Sequence, residues 1–268
     1  MDQARNNMAI SVLNNIRTLI RPSVGPVKLC VFDNGSKYLD HLEHISPGTI
    51  LIKSKINHGL WSAIHWMLWN TQIAEPNKPE YIYIIESDLI HSEFEAIKDC
   101  AEFLKSQPTA SSVRTQEFSV MHRWRYDKRL SWLPFHNWRS HVSMENLVTR
   151  QKAWFRNVDA KGDVYLSNLH PKLPGLHRVD TLKRVFNKLD KRKAFSEWDF
   201  FSEMISNHPN IGVLDGGIFH SINNLEEFGD GLTGSFSTEA DLEAAGYLNT
   251  RQASILKYGY DQVNVSNL

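Results

Sequence analysis

The run Tyr81-Ile82-Tyr83-Ile84-Ile85 ends abruptly in Glu86-Ser87-Asp88. A stretch of β-branched and aromatic residues bounded this sharply predicts a buried strand that delivers two carboxylates to its C-terminal tip. Residues two apart along a strand point the same way, so Glu86 and Asp88 would aim at one point where a hard divalent cation can sit. The tips of a parallel sheet are also where α/β proteins bind ligands. A plainer reading stands beside this one: acids at a strand end often cap the helix that follows, and residues 87–92 are placed for that.

Around this strand, helical and strand patterns alternate. Met8, Val12, Leu13, Ile16, Leu19 and Ile20 recur at three- and four-residue spacing, which predicts a helix over 8–20 that Pro22 and Pro26 end. A short strand over 27–32 stops at the turn cluster Asp33-Asn34-Gly35-Ser36. A second over 49–52 precedes Asn57-His58-Gly59, and a helix follows over 60–69. Further helices are expected over 93–105, 179–189 and 198–205, and further strands over 112–121 and 211–214. Between 122 and 156 the pattern loses its period and becomes rich in tryptophan, arginine and histidine. Long irregular segments inside a compact domain are more often functional than accidental. The tail from Asn223 is polar, with a short helix expected over 239–245. This order predicts an α/β domain over 1–222, with a mostly parallel central sheet covered by helices on both faces, and a C-terminal appendage over 223–268.

Composition narrows the partners. Thirty basic and thirty acidic residues leave no global field to draw in nucleic acid or an anionic membrane, so any polyanion site must be local. Two cysteines without a CxxC partner fit a reducing cytoplasm. No segment of about twenty apolar residues occurs, which predicts a soluble chain that only a partner or peripheral contact would hold at a membrane.

Three motifs together carry a resemblance. Val31-Phe32-Asp33-Asn34-Gly35-Ser36, Asn57-His58-Gly59 and the strand ending in Glu86-Ser87-Asp88 are similar, in order and spacing, to the strand-end motifs of nucleotide-sugar glycosyltransferases of the GT-A fold. The pattern resembles the large inverting family 2 in particular, over about residues 7–220. The resemblance implies a GT-A-like sheet and a metal-dependent transfer of a sugar from a nucleotide-diphosphate donor to an acceptor hydroxyl on a glycan or other molecule. It places Asp33, Asn34, Asn57 and Gly59 around the donor nucleotide. Asp88 would ligate Mn or Mg, and Glu86, standing where the family has its first Asp, would hold the ribose or support the metal. Such a metal would offset charge building on the leaving diphosphate.

Phe195-Ser196-Glu197-Trp198-Asp199-Phe200 resembles the family's acidic segment that supplies the catalytic base. Aligned on Phe200, it makes Glu197 the base, with Asp199 as the alternative; both also suit a helix N-terminus. His220, after Gly216-Gly217-Ile218-Phe219, is similar to a C-terminal histidine that completes the metal site in some GT-A enzymes. Arg5-Asn6-Asn7 resembles the residues just after the family's first strand, so the chain is expected to begin one strand late.

Arg123, Arg125 and Trp138 lie in the irregular segment, where aromatic faces suit sugar rings and arginine forks suit phosphate. Arg178 lies where acceptor-side loops fall in the family. Core tryptophans and solvated arginines explain the same composition, and basic–aromatic interleaving also suits single-stranded nucleic acid. Against the last stand the balanced charge and the expected acidic cleft. Two other functions stay open: a nucleotidyltransferase, and a glycan- or partner-binding relative without turnover, which Glu86 and Ser196 in place of the family's residues would favour.

Overall fold

The computed structural model describes residues 3–20, 27–70, 79–116, 154–158, 162–222, 247–249, 252–253, 255, 257 and 260–268. The chain enters through α1 (Gln3–Leu19) and β1 (Cys30–Asn34), then passes β2 (Ile50–Ser54), α2 (Gly59–Trp69), β3 (Tyr81–Ile84) and β4 (Leu89–His91). Next come α3 (Ala96–Ser106), β5 (Ala110–Arg114), β6 (Phe155–Asn157), β7 (Val164–Ser167) and β8 (Gly175–Arg178). Helices α4 (Val179–Leu189) and α5 (Glu197–Asn207), strands β9 (Asn210–Leu214) and β10 (Phe219–Ser221), and the short β11 (Tyr247–Asn249), β12 (Gln252–Ala253) and β13 (Val263–Asn267) complete the order.

Strands β3-β8-β5-β9-β7-β6 form a six-stranded sheet, and β1-β2-β13 form a three-stranded one. The expectation of a mostly parallel sheet is corrected here. Among the described residues only β5 with β9 and β1 with β2 pair in parallel within these sheets; β3 with β8, β5 with β8, β7 with β9, β6 with β7 and β13 with β2 are antiparallel. The reason is local. Strands β3, β5 and β9, legible in the sequence, do share one direction. Strands β7 and β8, which sequence patterning missed, are four residues each and run the other way beside them. Segments that short, one opening on a glycine and holding His177 and Arg178, carry too little β-periodicity to be read.

Helices cover both faces of the larger sheet, as expected. The pleat sends Tyr81 and Tyr83 of β3 toward a core built with Val12 and Ile16 of α1 and Phe103 and Leu104 of α3. Ile82 and Ile84 face the opposite core, where Trp61 and Ile64 of α2 meet Phe186 of α4 and Phe200 of α5. Helix α2 straddles the two sheets, because Trp66 and Met67 also pack on Ile50, Ile52 and Phe32 of the smaller one. Five residues of the expected tail form β13, whose Val-Asn-Val-Ser-Asn pattern lies antiparallel along β2. Tyr260 pins the same end by donating to the Ser62 carbonyl at 2.9 Å. The expected helix over 239–245 lies outside the described residues. Among the described residues no helix is long and apolar enough to cross a membrane.

Candidate functional site

Strand β3 ends at Ile84, not at Asp88. Two carboxylates would be intolerable inside a sheet covered on both faces, and the chain turns instead: the Leu89 amide donates to the Glu86 carbonyl at 3.3 Å, and β4 departs from there. Strand β10 pairs antiparallel with β4 and brings Ser221 beside Asp88, whose carboxylate accepts from Ser221 Oγ at 3.1 Å. The turn thus faces a cleft of about 320 Å³ lined by Glu86, Asp88, Gln116, Lys172, Glu197 and Ser221, with Phe219 and Pro174 in its walls.

Glu197 reaches this cleft from the first position of α5. The helix start is set by a capping box: Ser196 Oγ accepts from the Asp199 amide at 3.2 Å, and the Asp199 carboxylate accepts from the Ser196 amide at 2.7 Å. Asp199 is also paired with Arg192 at 3.3 Å, and the Ser196 bonds hold its carboxyl below the usual range. The two acids therefore divide: Glu197 lines the cleft and Asp199 is consumed by the cap.

Charge inside the cleft is strained. Burial, then the neighbouring Asp88 and Glu197, push the Glu86 carboxyl up to about 7, against the pull of Lys172 and Arg5. Burial and then the Arg114 guanidinium draw Lys172 below the ordinary lysine range, while Glu197 and Glu86 oppose them. Gln116 Oε1 is sealed from solvent and meets no hydrogen-bond donor among the described residues. Lys172, Gln116 and Ser221 were missed by sequence reasoning. The only mark on Lys172 is its place between Pro171 and Pro174; the other two have no signal at all.

The second group of expected site residues forms a different structure. Asn34 Oδ1 accepts the His58 amide at 2.8 Å while its amide nitrogen donates to the Gly59 carbonyl at 3.2 Å. Asn57 Oδ1 accepts the Gly59 amide at 2.8 Å. Asp33, only 4% exposed, accepts the Ser36 amide at 3.3 Å and lies 3.8 Å from His41 Nε2. Burial keeps His41 below the ordinary histidine range despite Asp33 and Asp40, and its Nδ1 meets Asn6 Oδ1 at 2.8 Å. Gly35 has φ +72°, and a Cβ there would stand 2.6 Å from the Ile56 carbonyl carbon. The two loops are knitted into one knot by Asn34, which holds the backbone of the other loop, while Asn57 holds the backbone of its own.

His220 and Arg178 go elsewhere. Phe219 and Ser221 line the cleft, so the alternation of a strand turns the intervening His220 away from it. Arg178 donates to the carbonyls of Ala110 at 2.9 Å and Gln107 at 3.2 Å, and to that of Leu104, closing the C-terminal end of α3. Arg123, Arg125 and Trp138 lie outside the described residues. Among the described residues no three histidine, cysteine, aspartate or glutamate side chains gather as a complete metal cage. Compared with known protein families and with curated proteins, the sequence matches none.

Proposed function

We propose that this chain is a glycosyltransferase that moves a sugar from a nucleotide-diphosphate donor to an acceptor hydroxyl in the Glu86–Asp88–Glu197 cleft. One observation carries the reading: a strand-end turn and a helix N-terminus, far apart in the chain, put three carboxylates and a lysine around one cavity while the neighbouring Asp199 is withheld. In the reaction the acceptor oxygen bonds to the anomeric carbon, and the bond from that carbon to the diphosphate oxygen breaks with its electron pair. The hydroxyl proton passes to the Glu197 carboxylate, which is exposed at the cleft and bears no hydrogen bond among the described residues.

The oxygen donors fit a divalent cation of the sparse kind. Mg and Mn are commonly held by one or two carboxylates, with waters and substrate phosphates completing the shell. Asp88, with Glu86 beside it, would hold such an ion, which when bound offsets negative charge on the diphosphate. Glu86 is pressed toward protonation by burial and by Asp88, and that stress is what a cation relieves. Ser221 orients the Asp88 carboxylate by donating to it.

A competing reading, binding without turnover, draws on the knot: both side-chain polar atoms of Asn34 and the Oδ1 of Asn57 are already spent on backbone groups. A thermal-shift screen of UDP, GDP, CDP and dTDP with and without Mn separates the two. A metal-dependent rise with one nucleotide, lost in Asp88→Ala, supports the donor site; an unchanged rise in that variant sinks the metal role. Turnover of the matching nucleotide sugar that Glu197→Gln abolishes supports transfer, and binding without turnover supports the competing reading.

A further inference from the structure

Lys172 sits in the cleft with its charge uncommitted. No hydrogen bond or ion pair among the described residues engages its ammonium, although Glu86 and Glu197 are near enough to raise its proton affinity. The backbone on either side of it, by contrast, is held in place. The His170 carbonyl accepts from the buried Arg114 at 3.2 Å, and the Leu173 carbonyl meets His177 Nε2 at 2.6 Å. Leu173 is 3% exposed. Gly175, at φ +141°, lets the loop pass so close to β5 that a Cβ would stand 2.5 Å from the Val113 carbonyl oxygen. A lysine carried on a loop this constrained has a fixed point of attachment, and its ammonium bears no hydrogen bond or ion pair among the described residues. Desolvating an ammonium without a partner is costly, and the cost is recovered when an anion supplies the missing acceptors.

Arg114 adds positive charge nearby. It is 2% exposed and is not among the lining residues, but its charge acts on Lys172, so positive charge reaches the same cavity that Glu86, Asp88 and Glu197 line. A ligand matched to such a cavity has an anionic end and a polyhydroxyl or cation-coordinated end. Were Lys172 present only to neutralise Glu86 and Glu197, it would stand at ion-pair distance from one of them; none of the described ion pairs includes it.

We propose that Lys172 is the anion anchor of the cleft, binding the diphosphate of the donor directly and retaining the charge of the leaving diphosphate when the sugar departs. The proposal rests on the reading of the cleft as the donor site and adds a contact that needs no metal. The probe is inorganic pyrophosphate in the presence of a chelator, titrated calorimetrically into the full chain. Wild-type protein should bind it, Lys172→Met should lose about 10- to 100-fold in affinity, and Lys172→Arg should lose less. Unchanged affinity in Lys172→Met, or no binding by wild-type protein under chelator, would overturn the proposal. Should Lys172→Met not fold, amine-selective labelling of wild-type protein answers the same question: pyrophosphate should shield Lys172 from the reagent, and undiminished labelling would overturn the assignment. Nucleotide-sugar turnover is measured in parallel. Pyrophosphate binding lost in Lys172→Met without any turnover leaves the anchor standing and removes glycosyl transfer. Turnover with pyrophosphate binding untouched by Lys172→Met does the reverse.

Discussion

Two strand tips of this molecule carry the same kind of sequence, an acid and a small polar residue just past an apolar run, and the fold uses them in opposite ways. At the end of β1 and in the loop beside it, the side chains of Asp33, Asn34 and Asn57 are turned onto backbone groups, giving a closed knot. After β3, among the described residues, Glu86 faces a cleft without a hydrogen-bond partner and the Asp88 carboxylate has Ser221 alone. The difference teaches that an acid at a strand end is not in itself a site. What decides is whether backbone groups close on it. At the first tip Asp33 accepts the Ser36 amide of its own turn, and the 57–59 loop gives Asn34 the His58 amide and the Gly59 carbonyl; at the second, β10 supplies one hydroxyl and the approaching groups are mostly further charges.

The sharpest test of that contrast lies within α5. Glu197→Gln should lower transfer about 10²- to 10⁴-fold with the fold intact. Asp199→Asn, two residues on, should leave turnover within about tenfold and instead weaken the cap by roughly 1 kcal/mol in urea unfolding. Equal kinetic losses in the two variants would break the distinction between consumed and open acids.

The knot itself is probed at Gly35. Alanine there must accept a left-handed backbone and push against the Ile56 carbonyl, so Gly35→Ala should cost roughly 2–3 kcal/mol in chemical denaturation. A loss under 1 kcal/mol would mean that the two loops are less firmly joined than their hydrogen bonds imply.

Acidity should move the two regions in opposite directions. Folded Glu86 holds its proton more tightly than the unfolded chain does, so its stabilising contribution is complete below about 4.5 and is lost as pH rises through about 7. Glu86→Gln in metal-free buffer should therefore stabilise the protein by roughly 2–3 kcal/mol at pH 8, with the gain fading toward pH 4.5. His41, held neutral by burial, has the other sign: its contribution is present above about 6.5 and is lost as pH falls below it. Protection factors at His58 and Gly59, taken against the intrinsic exchange rate at each pH, should fall on mild acidification while that of Leu89 in the cleft turn does not. A uniform response would remove the contrast.

The smallest effect separates a satisfied amide from an orphaned one. Asn34→Ala strips the His58 amide and the Gly59 carbonyl of their partner and should cost about 1–2 kcal/mol. Gln116→Leu removes a sealed oxygen that has no donor among the described residues, and should be neutral or stabilising by up to about 1 kcal/mol. Thermal unfolding of the pair settles the ranking.

Local patterning carried much of the fold. Helix α4 spans Val179–Leu189 as its periodicity predicts, and the cores of α1, α2, α3, β1, β2, β3 and β9 fall where apolar spacing and turn residues place them. These elements are legible because one buried face imposes a period of 3.6 or 2 on consecutive residues. Strand direction is another matter. Nothing in Val164–Ser167 or Gly175–Arg178 says that they run against β9 and β5, since pairing partners lie dozens of residues away and antiparallel geometry leaves no local trace.

The acids of the cleft are likewise visible in the sequence, where Glu86, Asp88 and Glu197 each stand at a strand or helix end. Which acids stay open is not visible there. Asp199 and Glu197 are neighbours with the same charge, separated only by the angle at which α5 meets the cleft and by the capping bond to Ser196. Asn34 and Asn57 look like ligands until the two loops are folded together. The helices, the apolar strands and the supply of carboxylates are readable along the chain, because those depend on neighbours in sequence. Strand direction, the withdrawal of His220 and Arg178 from the cleft, and the arrival of Lys172 belong to the folded molecule. Each of those depends on the distance between groups remote in sequence, and hydrogen bonds and charges act through that distance alone.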